Sequence, residues 1–212
     1  MIKAVLFDFD GVIADTLKKH VEAWQITFHD LGIKIEAEDI APEEGANADE
    51  ILSNILHSKG HSISPNEIKS RTKQKRDVYR TLSKASVIPE TEALINHLKK
   101  NAVRLGLVTG SIISSLKHVV DDAFLDKFDV IVTSDDVIKT KPSPEPYLIV
   151  AEKLNIAPEN CVVIENAPKG IESAKRAGMK CVALRTTIKK DEILSKADVI
   201  VDNALEVDIH KL

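Results

Sequence analysis

Two cysteines in 212 residues, Cys161 and Cys181, are too few for a disulfide framework. Each stands in an apolar run, Cys161-Val-Val-Ile164 and Cys181-Val-Ala-Leu184, which predicts buried strand thiols in a reducing, cytoplasmic setting. Glycine and proline, eight of each, are too sparse for a disordered or fibrous chain. No lysine–arginine block dominates and the net charge is −4, which excludes a nucleic-acid footprint and an electrostatic membrane anchor. The apolar amino-terminal run has no basic leader and is interrupted by Asp8 and Asp10, so it reads neither as a signal peptide nor as a membrane span. Long repeats and low-complexity segments are absent as well.

What remains is a globular composition, 43% hydrophobic and 29% charged, in a chain long enough for one large domain or for a domain carrying a smaller insertion. Short apolar runs recur at Ala4 to Phe7, Val103 to Val108, Val130 to Val132, Cys161 to Ile164, Cys181 to Leu184 and Val199 to Val201. None alternates strictly, and helical spacing separates most of them, which predicts a parallel sheet covered on both faces: a doubly wound α/β fold. From Thr16 to Ser86 no strand is evident. Leu17, Val21, Trp24, Phe28 and Leu31 recur at helical spacing, followed by Ile51, Leu52, Ile55 and Leu56 and then by Ile68 through Leu82. This interval reads as a helical insertion, or cap, over 16–86, with the α/β core formed by 1–15 and 87–212. Ser64-Pro65-Asn66-Glu67 has the form of a capping box, and Gly32 and Gly178 sit where left-handed helix terminators belong.

Ligands of open parallel sheets bind beyond the carboxyl ends of the strands. The first apolar run is followed by Asp8, Asp10 and Gly11, the second by Thr109-Gly110-Ser111, the third by a loop reaching Lys141-Pro142, and the fourth by Glu165-Asn166. Each is unremarkable alone; their coincidence at consecutive strand ends is the signal. One carboxylate can attack phosphorus, a second can protonate a leaving oxygen and then activate water, and a hydroxyl, backbone amides and a lysine can neutralise the transferring group. An oxygen-rich cluster suits Mg²⁺. Asp8 and Asp10 share a face if the strand runs through both, whereas a turn at Gly11 gives them different aims.

Asp8-Phe-Asp10-Gly-Val with Asp15-Thr16, Thr109-Gly-Ser111, Lys141-Pro142 and Ile164-Glu-Asn-Ala-Pro-Lys-Gly170 with Ala177-Gly-Met179 stand in an order that resembles the haloacid dehalogenase superfamily of phosphohydrolases. The branch resembled carries a helical cap after its first strand and includes phosphoglycolate phosphatase-like and β-phosphoglucomutase-like proteins. The resemblance covers essentially the whole chain. It implies a Rossmann-like core and Asp8 as nucleophile and Mg²⁺ ligand. It implies Asp10 as general acid/base, with its carbonyl on the metal. Thr109, Gly110, Ser111 and Lys141 would hold phosphate, and Glu165 and Asn166 would complete the metal shell. His20, Trp24, Gly45 and Lys75 fall where relatives resembling β-phosphoglucomutase have substrate-facing cap residues. Read without the resemblance, Trp24 is a core residue, His20 a solvated helix residue, and Lys69, Arg71, Lys73, Lys75 and Arg76 a solvated face. Asn166 departs from the acid usual at its position, and Gly45-Ala-Asn-Ala-Asp-Glu50 lacks the arginine with which such mutases grip a distal phosphate. The expectation is a Mg²⁺-dependent phosphatase of a small phosphorylated metabolite, with a sugar-phosphate mutase and a catalytically weakened phosphate-binding module as alternatives. Monomer and homodimer both remain open.

Overall fold

The computed structural model describes residues 1–212. Strand β1 (Ala4–Phe7) is fully buried along its length. A completely buried Val, Leu or Phe side chain contributes roughly 1.5–3 kcal/mol each, so this run anchors the sheet. A two-residue strand β2 (Ala14–Asp15) follows, then four helices: α1 (Leu17–Phe28), α2 (Ala37–Ile40), α3 (Ala48–Ser58) and α4 (Pro65–Thr81). Strand β3 (Ser86–Val87) pairs antiparallel with β2, Ala14 opposite Val87 and Asp15 opposite Ser86. This ladder, absent from the sequence-based expectation, ties together the two passages into and out of the helical segment. Two residues are too few to carry a strand period, which is why the pattern did not disclose it.

The remainder alternates as the pattern predicts. Helix α5 (Pro89–Lys100) leads to β4 (Arg104–Val108), α6 (Ile113–Val119) and α7 (Asp122–Leu125) to β5 (Val130–Val132), and α8 (Glu145–Leu154) to β6 (Cys161–Glu165). Helix α9 (Pro168–Arg176), β7 (Lys180–Leu184), α10 (Asp191–Leu194) and β8 (Val199–Val201) complete the chain. The six long strands form one parallel sheet in the order β5-β4-β1-β6-β7-β8. Winding reverses at β1 and β6, so the carboxyl ends of β1, β4 and β6 flank the crevice where such sheets bind ligands. One apolar cluster lies on each face, including Val5, Phe7, Leu107 and Val162 on one side and Leu6, Val108, Val163 and Tyr147 on the other.

Helices α1 to α4 surround a third cluster containing Trp24, Phe28, Ile35, Ile40, Leu52 and Leu56. Helix α1 follows its apolar stripe as far as Phe28, but Leu31 lies beyond its end in a 3-10 turn and is exposed. Gly32 then closes the segment in the left-handed conformation, as Gly178 does after α9. Helix α4 begins with half of the expected capping box: the Ser64 hydroxyl accepts from the Glu67 amide at 3.2 Å. Cys161 and Cys181 are buried free thiols on β6 and β7. No helix is long and apolar enough to cross a membrane.

Candidate active site

The Asp8 amide donates to the Ile164 carbonyl at 3.0 Å, carrying the β1–β6 ladder one residue past the end of the strand. The chain then turns sharply, the Phe9 carbonyl accepting from the amides of Ile13 at 2.9 Å and Ala14 at 3.1 Å. The turn requires Gly11, whose φ is +78° and where a Cβ would come within 2.1 Å of Asn166 Nδ2. The two carboxylates therefore aim differently.

Asp8 is buried and accepts from Lys141 Nζ at 2.6 Å. Burial raises the Asp8 pKa, while the ammonium beside it pulls the other way. Burial likewise opposes the charge on Lys141, yet Asp8 and Glu165 hold its pKa above the ordinary lysine value. A 2.6 Å contact is that of a charge-assisted hydrogen bond, so the geometry favours the carboxylate–ammonium form. Asp10 instead accepts from Thr16 Oγ1 at 2.7 Å and Ser111 Oγ at 3.2 Å and meets His20 Nε2 at 3.1 Å. Burial works to raise its pKa, but the bonds from His20 and Thr16 prevail and lower it to about 2.

Behind His20 lies Lys75, with Nζ 2.7 Å from His20 Nδ1, while the Tyr79 ring stacks on the imidazole at 4.7 Å. Lys75 is buried, with its ammonium over the faces of Trp24 and Tyr79 at 5.2 and 5.3 Å. Burial lowers its pKa to about 7. A solvated basic face for Lys69 through Arg76 therefore does not hold at Lys75, which one helical position turns inward. His20 is likewise engaged rather than solvated. Trp24 is both: it belongs to the third apolar cluster and lines the cavity.

A cavity of about 50 Å³ is lined by Asp10, His20, Trp24, Gly45, Lys75, Gly110 and Ser111 among the expected residues, joined by Glu44, Arg76 and Tyr79. Thr109, Lys141, Glu165 and Asn166, like Asp8, are buried and do not line it. The loop carrying Glu44 to Ala46 seats on the strand ends. A Cβ at Gly45 would come 2.8 Å from Lys141 Cδ, and one at Gly110 would come 2.4 Å from the Ala46 carbonyl oxygen.

Glu165, expected in the metal shell, is held by four hydrogen bonds. Its Oε1 accepts from Lys141 Nζ at 2.8 Å and Tyr147 Oη at 3.1 Å, and its Oε2 from the amides of Asn166 at 2.8 Å and Ala167 at 3.1 Å. With both oxygens doubly engaged, Glu165 holds Lys141 and the residues leading into α9 in place. No three His, Cys, Asp or Glu side chains converge as a ready metal cage. Asn166 donates from Nδ2 to Glu44 Oε2 at 3.0 Å and to Thr187 Oγ1 at 2.9 Å, leaving its own Oδ1 buried without a partner. Glu44 Oε1 is a second buried orphan, and an amide and a carboxylate oxygen left unpaired in an acidic cluster suit a hard divalent cation.

Thr16, Tyr147 and Glu44 were missed by sequence reasoning. Thr16 stood inside a quoted motif, and its hydroxyl beside Asp10 was legible; Glu44 lies on a loop with no periodicity to mark it.

The model of haloacid dehalogenase-like hydrolases matches residues 5–184. The chain belongs to the haloacid dehalogenase-like hydrolase family. It is 32% identical to validoxylamine A 7'-phosphate phosphatase of Streptomyces hygroscopicus subsp. limoneus over 98% of this chain and 96% of that protein. It is 29% identical to β-phosphoglucomutase of Bacillus subtilis (strain 168), over 100% and 94% respectively. Among solved structures it superposes on β-phosphoglucomutase from Clostridium difficile with a TM-score of 0.85 at 32% identity, covering 100% of this chain and 95% of that one.

Proposed function

We propose that this hydrolase is a phosphatase that cleaves a small phosphorylated metabolite, a sugar or polyol phosphate, through an aspartyl phosphate on Asp8. The observation that carries the reading is the division of labour between the two carboxylates: Asp8 faces a buried lysine, while Asp10 faces a hydroxyl and an imidazole. An Asp8 oxygen forms the new bond to phosphorus as the ester P–O bond breaks, and Asp10 delivers a proton to the departing oxygen. Asp10 then takes a proton from water, whose oxygen attacks phosphorus and frees Asp8. Because Asp10 is ionised in the state described, its proton must be supplied. The line Lys75 Nζ, His20 Nδ1, His20 Nε2, Asp10 Oδ1 supplies it by one shift at each contact. Lys141, Thr109 and the Gly110 amide neutralise the phosphoryl oxygens.

Mg²⁺ is the implied cation: Asp8, the Asp10 carbonyl, Glu165 and Asn166 would hold it, and it would supply positive charge to the phosphate. A cavity of about 50 Å³ holds water but no sugar phosphate, for which pockets run to roughly 300 Å³ or more. Residues 16–86 therefore act as a cap that opens to admit substrate and selects it from the cavity wall.

Phosphate release from a panel of sugar and polyol phosphates, phosphoglycolate and p-nitrophenyl phosphate, with Mg²⁺ and with EDTA, tests the reading. Release should require Mg²⁺ and vanish in Asp8→Asn; wild-type turnover by that variant rules the nucleophile out. A sugar-phosphate mutase is the second reading, favoured by Arg76 and Lys75 on the cavity wall, where a distal anion would sit. It predicts isomerisation of a hexose 1-phosphate stimulated by a trace of bisphosphate, and absence of such turnover removes it.

A further inference from the structure

Glu44 takes part in no step of the reaction described above. It is only 4% exposed and accepts a single hydrogen bond, from Asn166, leaving Oε1 buried and unpartnered. A carboxylate desolvated for one neutral hydrogen bond is costly, and glutamine would pack equally well. Its surroundings make the cost larger. Asp8, Asp10 and Glu165 all act electrostatically on Glu44, and Lys141 is the one lysine in hydrogen-bond contact with any of these four carboxylates. The second orphan, Asn166 Oδ1, belongs to the very residue Glu44 touches. Two residues 122 positions apart in sequence, each with a buried unpaired oxygen, are thus hydrogen-bonded to one another in an acidic site short of positive charge.

We propose that Glu44 reaches from the cap to the metal centre and supplies the carboxylate charge that Asn166 does not, so that cation binding and cap closure are linked. The proposal rests on the metal assignment made above for Asp8 and Asn166, and adds to it a ligand group from the opposite side of the cleft. Neighbouring contacts hold the loop where this requires: Glu43 pairs with Lys169 at the start of α9, and Thr140 donates to Glu50. An acid carried on the moving part stabilises the closed form only when the cation is present, since without it the like charges of Asp8, Asp10 and Glu165 oppose closure.

The test is Mn²⁺ binding followed by electron paramagnetic resonance of the free ion, without substrate, alongside small-angle scattering to read closure. Glu44→Gln keeps the size and the Asn166 contact and should weaken Mn²⁺ binding about tenfold or more, the scale on which groups around a metal tune affinity. Mn²⁺ should also compact the wild type more than the variant. Asn166→Asp should restore the affinity of Glu44→Gln while adding little to the wild type. Unchanged Mn²⁺ affinity in Glu44→Gln overturns the proposal yet leaves the phosphatase reading intact, provided that Asp8→Asn still abolishes turnover. Absence of Mn²⁺ binding by the wild type overturns both this proposal and the metal assignment. If Glu44→Gln does not fold, Asn166→Asp in the wild type decides: a tenfold gain in affinity there would show the charge to be missing and contradict the role of Glu44.

Discussion

Gly170 lies inside α9, where replacement of glycine by alanine ordinarily stabilises a helix by about 0.5–1 kcal/mol. Here the opposite sign is expected. A Cβ at this position would lie 1.5 Å from Glu165 Oε1 and 2.0 Å from its Cδ, so the carboxylate would have to move. That carboxylate has nowhere to go: its Oε1 holds Lys141 and Tyr147, and its Oε2 holds the first amides of the α9 turn. Losing one charge-assisted bond costs roughly 1.5–3 kcal/mol, and adding the bond from Tyr147 increases the loss by about 1 kcal/mol. Set against the helix gain, Gly170→Ala should destabilise the protein by about 1.5–3.5 kcal/mol in urea unfolding. Because Lys141 loses its second anchor, kcat should fall as well, by tenfold or more. A variant that is more stable than wild type and equally active would refute the reading of Glu165 as the fixed mount of Lys141.

Two further perturbations probe the buried charges. Lys141→Met leaves Asp8 and Glu165 buried without a cation and should cost about 3–5 kcal/mol. The loss should be smaller at pH 5 than at pH 8, because unpaired buried carboxyls titrate above their unfolded values and lose stability as pH rises; a loss below about 1 kcal/mol would contradict the ion pair. Lys75, whose pKa falls from 10.5 to about 7 on folding, binds its proton more tightly when unfolded. Wild-type stability should therefore rise between pH 7 and pH 10.5, by at most about 5 kcal/mol from this group, and Lys75→Met should flatten that rise in urea titrations across the window. An equal slope in both proteins would mean that Lys75 is solvated.

The sheet was legible because burial on both faces writes continuous apolar runs: the runs at Ala4, Val130, Cys161 and Val199 each became a strand. The β2–β3 ladder was illegible because two residues carry no period. Along α4, periodicity could not say which of five basic residues turns inward, since a buried lysine stabilised by ring faces and an imidazole looks the same in sequence as a solvated one; only the resemblance singled out Lys75. The division between Asp8 and Asp10 depended on the turn at Gly11, and sequence left both outcomes open. The resemblance implies Glu165 as a metal ligand, whereas its contacts with Lys141 and Tyr147 come from partners that only the fold brings to it. Glu44 illustrates the general difficulty: a single acid on an irregular loop acquires meaning solely from what lies across the cleft.

The central claim is that Asp8 carries the phosphoryl group. Rapid acid quench during turnover of the best ester, followed by peptide mass spectrometry, tests it most directly. One phosphoryl group should appear on the peptide containing Asp8, disappear in EDTA and be absent from Asp8→Asn. A phosphoryl group on another residue, or undiminished turnover in Asp8→Asn, would contradict the account.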